Sequence, residues 1–224
     1  MGSTLSAKKI VVIGAGGSGR ETLGLIRDIN LCKGPTWEFI GFVAEHPGPP
    51  ELLDRLHADW LGRLGDPGLQ ANLPRDCWFV AAIGDGQIRR RVEHEAQGLG
   101  LQLATLVHPE AIIGEDVILG QGSVVCAGAI LTTNVRIGRS NQVNIGCTVS
   151  HDANLGDYVT LAPAVSLAGN VSIGDGATLY TKTSVIPGVK VGANAIVGAG
   201  SVVIREVAAG TTVVGCPAHE VRRP

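Results

Sequence analysis

From Ala111 to Glu206 the chain carries an aliphatic residue at every sixth position without interruption. The stretch divides into 16 consecutive units of six residues, with Ala111 as the first position of the first unit. A fixed short period with one obligatory apolar position indicates a solenoid, in which each unit buries that side chain against its neighbours. The third positions are Ile113, Leu119, Val125, Leu131, Ile137, Val143, Val149, Leu155, Leu161, Leu167, Ile173, Leu179, Val185, Val191, Val197 and Val203.

Each unit is predicted to form a short strand and a tight corner, because Val, Ile, Leu and Thr alternate with frequent Gly, Asn and Asp. If three units close one triangular coil, residues eighteen positions apart stack at about the 4.8 Å spacing of neighbouring strands. Ile113, Leu131 and Val149 then begin one such column. The repeat therefore predicts an all-β parallel helix with a core of branched aliphatic side chains.

Strands and helices alternate in the part of the chain before the repeat. This order predicts a small parallel, Rossmann-like α/β domain, although residues 48–75 show no clear element. We expect one domain over residues 1–107 and the β-helix with its tail over residues 108–224. The predicted elements are strands at Lys8–Ile13, Trp37–Val43, Cys77–Ile83 and Leu101–Val107, and helices at Arg20–Asn30 and Gln87–Gln97.

A glycine motif joins the first predicted strand to the first helix. Gly14, Gly16 and Gly19 satisfy GxGxxG, and an acid, Glu45, follows the second strand. The helix N-terminus behind such a loop can receive a phosphate. NAD binding, a structural turn and binding of a sugar-linked nucleoside diphosphate all remain open; the last is favoured because the domain has room for only about half of a dinucleotide fold.

Composition excludes several classes of function. The formal charge of −2 offers no basic stripe for nucleic acid, and no run of eighteen apolar residues or signal peptide is visible. We expect a soluble cytoplasmic protein without a nucleic-acid or membrane partner. The five scattered cysteines, without CxxC spacing, favour neither a disulfide framework nor a metal site.

One unit, Cys147–Asp152, places an imidazole and a carboxylate at a corner. His151 beside Asp152 fits a general base held in one tautomer, provided that the corner turns between them, because neighbouring strand residues point to opposite faces. The histidines outside the repeat are interpreted as surface or capped residues. Cys147 is a disfavoured alternative as a covalent nucleophile, since it occupies the first position of its unit.

Gly169 follows His151 by eighteen residues and should stack directly on it. A glycine leaves its backbone N–H accessible, and that group could donate a hydrogen bond to a thioester oxygen as negative charge develops. The sequence thus predicts a base and an oxyanion donor side by side.

The repeat resembles the left-handed parallel β-helix of hexapeptide-repeat acyltransferases, and almost the whole chain resembles the sugar-nucleotide N-acetyltransferases of the sialic-acid O-acetyltransferase and pilin-glycosylation family. The left hand is implied by the resemblance alone, since general crossover rules favour the opposite hand. A prism that serves only as a scaffold, or carries a carbonic-anhydrase-like activity, is the alternative. The resemblance rests on the segments Gly14–Gly19, Ala82–Arg89, His108–Ala111, Val149–Asp152, Ala168–Asn170 and Val214–Ala218.

The resemblance implies roles for individual residues. His151 would be the base, supported by Asp152. The nucleotide sugar would be held by Gly16, Gly17, Ser18, Glu45 and Gly84. Acetyl-CoA would lie between neighbouring prisms of a homotrimer, near Thr160, Gly169, Thr181 and Ala199.

Two positions depart from the family pattern. Thr160 stands where many members have a histidine, and Ala44-Glu45 stands where many have paired acids. The expected function is acetyl transfer from acetyl-CoA to the 4-amino group of a nucleotide-linked 4-amino-4,6-dideoxy sugar, GDP-perosamine or a UDP-linked analogue, for surface glycan synthesis. O-acetylation by the same machinery and a non-catalytic nucleotide-sugar-binding trimer are the alternatives.

Overall fold

The structure is a computed structural model that describes residues 7–74 and 76–221. The expectation that no signal peptide is present falls on residues 1–6, which lie outside the described residues. The chain divides into two compact units, one comprising residues up to Gly84 together with Ile88–Ala104, and the other comprising Asp85–Gln87 together with the chain from Thr105 onward.

The first unit contains a five-stranded parallel sheet in the order β3-β2-β1-β4-β5, which confirms the predicted Rossmann-like fold. Its two central strands are buried over their apolar parts, Ile10–Ile13 and Phe79–Ala81, as expected when helices cover both faces of a parallel sheet. The elements are β1 (Lys8–Ile13), α1 (Gly17–Lys33), β2 (Trp37–Val43), α2 (Pro50–Leu56), β3 (Trp60–Gly62), α3 (Pro67–Asn72), β4 (Trp78–Ala81), α4 (Gly86–Gly98, of which the first two residues are assigned to the second unit) and β5 (Gln102–Leu103).

The stretch without a predicted element, residues 48–75, contributes α2, β3 and α3. Both short helices begin with a proline in the first turn, where the missing N–H costs no hydrogen bond. β3 pairs with the edge of β2 and extends the sheet by one strand. Helix α1 begins at Gly17, inside the glycine motif, rather than at Arg20 as predicted.

The predicted fourth strand, Leu101–Val107, was wrong as a single element. Gln102–Leu103 joins the first sheet as β5, whereas Leu106–Val107 pairs with Val124–Val125, eighteen residues further on. The repeat therefore begins one unit earlier than Ala111, with Thr105 in the first position of that unit. The apolar run hides this division because both sheets need the same residue types.

The second unit is a parallel β-helix in which each strand up to Val202–Val203 consists of the second and third positions of a repeat. Its strands are β6 (Leu106–Val107), β7 (Ile112–Ile113), β8 (Ile118–Leu119), β9 (Val124–Val125), β10 (Ile130–Leu131), β11 (Arg136–Ile137), β12 (Gln142–Val143), β13 (Thr148–Val149), β14 (Asn154–Leu155), β15 (Thr160–Leu161), β16 (Ser166–Leu167), β17 (Ser172–Ile173), β18 (Thr178–Leu179), β19 (Ser184–Val185), β20 (Lys190–Val191), β21 (Ile196–Val197), β22 (Val202–Val203), β23 (Thr212–Val214) and β24 (His219–Glu220).

Pairing between these strands runs in steps of eighteen residues, as in Leu131 with Val149, so three units close each coil as predicted. The strands form three sheets, which we call the β6 face, the β7 face and the β8 face after the first strand of each. Along the chain, the β6 face leads through a corner to the β7 face, and the β7 face through a corner to the β8 face.

Third-position side chains fill the prism from Val125 onward, and all of them are buried. Ile113 and Leu119, in the first coil, are only partly covered. First positions are buried as well, including Cys147 and Val159. This second set of core positions explains why small residues recur there, since a first-position side chain points inward at a narrow corner.

The last coil is shorter than the others. Ile196 pairs with Thr212 after sixteen residues, and β24 then pairs antiparallel with β23.

Across residues 7–74 and 76–221, no helix combines the length and the apolar character that crossing a membrane requires.

Candidate active site

The chain turns at Ser150–Asp152, directly after strand β13. Asp152 has φ of +60°, in the left-handed region that Asp and Asn tolerate better than most residues. Asn134 and Asn170, eighteen residues before and after, adopt φ of +52° and +58°. The left-handed residue breaks the alternation of the strand, so the condition for His151 and Asp152 to cooperate is met.

His151 and Asp152 are in contact through their side chains. Nδ1 of His151 lies 2.7 Å from Oδ2 of Asp152, and both side chains remain about half exposed. The hydrogen bond with His151 lowers the pKa of Asp152, and a second hydrogen bond from Asn134 lowers it further. Because an ionised carboxylate only accepts hydrogen bonds, Nδ1 must carry the proton, which leaves Nε2 free to accept another.

Gly169 lies against the imidazole ring of His151. A Cβ atom added at Gly169 would lie 2.4 Å from Cε1 and 2.5 Å from Nε2, so only glycine fits there. The Gly169 N–H donates to no acceptor within the described part of the chain, whereas the neighbouring Asn170 N–H donates to the His151 carbonyl oxygen at 2.9 Å. The predicted base and the predicted oxyanion donor are therefore neighbours.

Sequence reasoning missed Asn134. Its Nδ2 donates a hydrogen bond to Oδ1 of Asp152, the carboxylate oxygen that does not face His151. The signal was available, because Asn134 precedes Asp152 by one full coil of eighteen residues and so stacks beneath it.

The residues expected to bind acetyl-CoA are not brought together in one chain. Gly169 lies at the corner after the β7 face, together with His151. Thr181 and Ala199 are exposed and stack one coil apart at the preceding corner, after the β6 face, where the Gly200 N–H donates to the Thr181 carbonyl oxygen at 2.9 Å. Thr160 lies on the β6 face and is buried, so little of its side chain is available to a ligand.

The glycine motif of the first unit contains two kinds of glycine. Gly14 and Gly19 are needed for packing, since an added Cβ would lie 2.9 Å from the Ala82 carbonyl oxygen and 1.8 Å from the Gly14 carbonyl oxygen, respectively. Gly16 and Gly17 are exposed, and an added Cβ would meet nothing within 4 Å.

Gly16 is the N-cap of α1, and no side chain caps the helix. Ser18 is half-buried in the first turn and accepts a hydrogen bond from Thr22 through its carbonyl oxygen. The first-turn N–H groups of a helix without a side-chain cap are donors for an anion.

A cavity of about 310 Å³ opens at the carboxyl ends of β1, β2 and β4. Its walls are mostly aliphatic, and three charged side chains face it: Glu45 after β2, and Arg91 and Glu95 from α4. Arg91 and Glu95 were not predicted; their spacing of four residues, which puts them on one face of a helix, was the available signal. A neighbouring cavity of about 300 Å³ shares Glu45 and Glu95 with the first.

Arg63 and Asp66, in the stretch without predicted elements, line the second cavity and form an ion pair of 3.1 Å. Hydrogen bonds from the backbone and side chain of Arg63 lower the pKa of Asp66.

Gly84 follows β4, and its carbonyl oxygen accepts a hydrogen bond of 3.2 Å from the side chain of the buried Arg89. The same side chain donates a hydrogen bond of 2.6 Å to the Ile83 carbonyl oxygen.

Cys147 is fully buried, and burial raises the pKa of its thiol to about 11. Its Sγ donates to the carbonyl oxygen of Ala162 at 3.2 Å. A buried, protonated thiol is a poor nucleophile.

In the described residues, no cluster of three or more His, Cys, Asp or Glu side chains could hold a metal ion.

Comparison with protein families identifies both parts of the chain. The PglD N-terminal domain matches residues 9–96, and the bacterial transferase hexapeptide (six repeats) matches residues 170–205. A curated relative, the UDP-N-acetylbacillosamine N-acetyltransferase of Bacillus subtilis, is 36% identical over 129 residues, which are 54% of this chain and 52% of the relative. The matched segment thus spans about half the length of that relative.

Three solved structures resemble nearly the whole chain. The acetyltransferase domain of PglB from Neisseria gonorrhoeae, in complex with acetyl coenzyme A, is 30% identical, with a TM-score of 0.84 over 96% of this chain and 100% of that one. A variant of the perosamine N-acetyltransferase of Caulobacter crescentus, in which a histidine is replaced, was solved in complex with CoA and GDP-perosamine and is 32% identical to this chain. Its TM-score is 0.84, over 96% of this chain and 97% of that one. WeeI from Acinetobacter baumannii is 30% identical, with a TM-score of 0.85 over 96% and 100%.

Proposed function

This chain belongs to the hexapeptide-repeat sugar N-acetyltransferases that carry a PglD-type N-terminal domain, and from that premise we propose that it acetylates the 4-amino group of a nucleotide-linked 4-amino-4,6-dideoxy sugar, with acetyl-CoA as donor. Synthesis of a surface glycan is the process that such a product serves. The observation that carries the proposal is the imidazole of His151, fixed by Asp152 on one side and covered by Gly169 on the other.

The proposed reaction is direct transfer in a ternary complex. The sugar amine attacks the thioester carbonyl carbon, and Nε2 of His151 accepts a proton from the amine. The N–H of Gly169 donates a hydrogen bond to the oxyanion of the tetrahedral intermediate. When the C–S bond breaks, the proton passes from His151 to the leaving thiolate, which yields CoA and the amide, while Asp152 stabilises the imidazolium in between.

We propose that the first unit binds the nucleotide. The uncapped start of α1, with Gly16, Gly17 and Ser18, suits a diphosphate, because exposed glycines let an anion approach the backbone donors. The neighbouring cavity, with Glu45 at its mouth and Gly84 after β4, suits the base and ribose.

The charges of this cavity favour guanine over uracil. Glu45 and Glu95 offer only acceptors, and Arg91 offers only donors. Guanine presents an adjacent N1–H and N2–H₂ to a carboxylate and O6 with N7 to a guanidinium, whereas uracil has a single N–H for two carboxylates. A GDP-linked sugar of the perosamine type is therefore the proposed acceptor, with a UDP-linked analogue as the alternative.

Acetyl-CoA is proposed to bind between copies in a homotrimer. The corner with Thr181 and Ala199 and the corner with His151 and Gly169 flank the β7 face, so one copy cannot present both corners to one groove. Exposed apolar side chains at the first corner, Ile145 and Tyr180, are each 49% exposed and would be covered by a neighbouring prism.

The test is CoA release from acetyl-CoA across 4-amino sugars linked to GDP, UDP and dTDP, each paired with its 4-hydroxy counterpart. Transfer to the GDP-linked amine, with the amide identified by mass spectrometry, is the expected result. Transfer to the hydroxyl sugar alone would establish O-acetylation instead. Nucleotide-sugar binding without CoA release in any arm would show a non-catalytic binder, and sedimentation equilibrium would test the trimer.

A further inference from the structure

Both oxygens of the Asp152 carboxylate are held in place. Oδ2 lies 2.7 Å from Nδ1 of His151, and Oδ1 accepts a hydrogen bond from the side-chain amide of Asn134. Since an ionised carboxylate offers no proton, the amide must present its NH₂ group, so the direction of this bond is fixed by chemistry. The three side chains thus form one chain of hydrogen bonds that ends at Nε2 of the imidazole.

The backbone that places Asp152 also places Asn134. The two residues occupy the sixth position of their units at the same corner, one coil apart, and both adopt a left-handed backbone. The Asp152 N–H donates to the Thr133 carbonyl oxygen, and the Asn134 N–H donates to the Glu115 carbonyl oxygen, each at 3.2 Å. Because the corners stack in register, the amide of Asn134 lies next to the carboxylate of Asp152.

We propose that Asn134 is a positioning residue for catalysis, which fixes the rotation of the Asp152 carboxylate and thereby the tautomer and orientation of His151. The inference rests on the proposed role of His151 as the base. A half-exposed carboxylate held by one bond can rotate about its terminal torsion, which is intrinsically broad. The second bond, to Asn134, removes that freedom before substrate binds.

A neutral side chain is required at this position. Asp116, one coil before Asn134 in the same column, is a carboxylate that forms an ion pair of 2.9 Å with Arg136. A carboxylate at position 134 would instead face Asp152 without a cation between them, and like charges in contact repel. Among these stacked corner residues, the acid Asp116 is therefore followed by the amide Asn134 in the coil that contacts Asp152.

The test compares Asn134→Gly, Asn134→Asp and the matched control Asp116→Gly in the full-length protein. Glycine adopts a left-handed backbone readily, so both glycine variants keep their corners. We expect kcat to fall about 3- to 10-fold in Asn134→Gly, the loss that one hydrogen bond of average net strength corresponds to, with KM for both substrates unchanged. Asp116→Gly is expected to keep the wild-type kcat.

Asn134→Asp gives a pH readout of the charge beside the catalytic pair. The added negative charge favours the imidazolium form of His151, so the acidic limb of kcat/KM is expected to move to higher pH. Wild-type kcat in Asn134→Gly, or an unmoved limb in Asn134→Asp, would overturn the proposal.

A readout independent of turnover separates this inference from the proposed function. Nitrogen NMR of histidine-labelled protein, with the His151 signals assigned by their loss in His151→Asn, reports which ring nitrogen is protonated. We expect the Nδ1–H tautomer in the wild type and a mixture in Asn134→Gly; an unchanged tautomer ratio would contradict the positioning role. Undiminished transfer by His151→Asn would instead refute the catalytic assignment.

Discussion

Gly169 lies over the imidazole of His151 so closely that a single added carbon at Gly169 would fall 2.5 Å from Nε2. This is well inside van der Waals contact with the nitrogen proposed to accept the proton. The glycine therefore has two roles: it leaves space for the ring, and its backbone N–H, which donates to no acceptor in the described part of the chain, lies beside the ring. The two roles can be separated experimentally.

Gly169→Ala is expected to cost stability only while the imidazole is present. In the wild-type background the added methyl group must displace the ring, and overpacking of this kind costs about 1–3 kcal/mol. In a His151→Ala background the space is free, and the cost should fall below about 0.5 kcal/mol. Urea unfolding of the four proteins in this double-mutant cycle measures the difference. An equal cost in both backgrounds would show that the contact with the ring is unimportant.

His151→Asn is expected to lower kcat by about 10² to 10⁴, the usual contribution of a general base, without changing the oligomeric state. His94→Asn is the matched control, because His94 is exposed on α4 and faces neither cavity. Steady-state kinetics with the sugar nucleotide identified in the panel provides the measurement. A variant that turns over as fast as the wild type would remove His151 from the mechanism.

Asp152 is expected to contribute stability at neutral pH that disappears in acid. Its folded-state pKa lies below the ordinary value of 3.8, first because of the hydrogen bond with His151 and then because of Asn134. A depressed pKa stabilises the folded state above the unfolded pKa, and the contribution is lost as the pH falls through the folded pKa. The Tm difference between wild type and Asp152→Asn should thus be constant above about pH 5 and shrink towards about pH 2. A difference that grows in acid would contradict this assignment.

Gly19→Ala is expected to lower thermal stability, whereas Gly17→Ala is expected to lower the affinity for the nucleotide. The methyl group at Gly19 would lie 1.8 Å from the Gly14 carbonyl oxygen, so this variant should unfold at a lower temperature. Gly17 has open space, and alanine should leave the Tm unchanged while it raises the Kd for the nucleotide severalfold by obstructing the start of α1. Calorimetric titration with GDP and UDP measures this Kd. Wild-type affinity in Gly17→Ala would exclude the proposed phosphate site.

Cys147 is expected to be chemically silent. With a thiol pKa of about 11 and no exposed surface, it should resist a thiol reagent at pH 8 that rapidly modifies the exposed Cys32 and Cys216. Cys147→Ala should retain acetyl transfer within about twofold, although its cavity lowers stability. Mass spectrometry of the modified peptides and the kinetics of the variant check both parts. Loss of acetyl transfer in proportion to the modification of Cys147 would instead support a covalent mechanism with Cys147 as the nucleophile.

Which groups meet at the proposed active site was only partly foreseeable. The eighteen-residue step predicted that Gly169 would stack on His151, because strand pairing in a solenoid follows directly from the repeat length. The contact between His151 and Asp152 depended on one backbone angle, φ of +60° at Asp152, that no apolar pattern encodes. The contact between Asn134 and Asp152 likewise depends on the left-handed backbone of Asn134, one coil earlier in the chain.

The first unit was less predictable than the prism. Its two cavities gather Glu45, Arg63, Arg91 and Glu95 from three separate segments, because the sheet order β3-β2-β1-β4-β5 brings the carboxyl ends of distant strands to one edge. The run Leu101–Val107 was assigned to one strand although it serves two sheets, since an apolar run does not reveal which partner each half will find.

The sequence by itself determined the repeating strands and the columns of their core, because one aliphatic residue in every six must be buried, and closure after three units then fixes the pairing register. Only the tertiary structure decided which polar side chains face one another. That choice rests on the backbone angles of single corner residues and on contacts between segments far apart in the chain, and neither leaves a periodic trace in the order of amino acids.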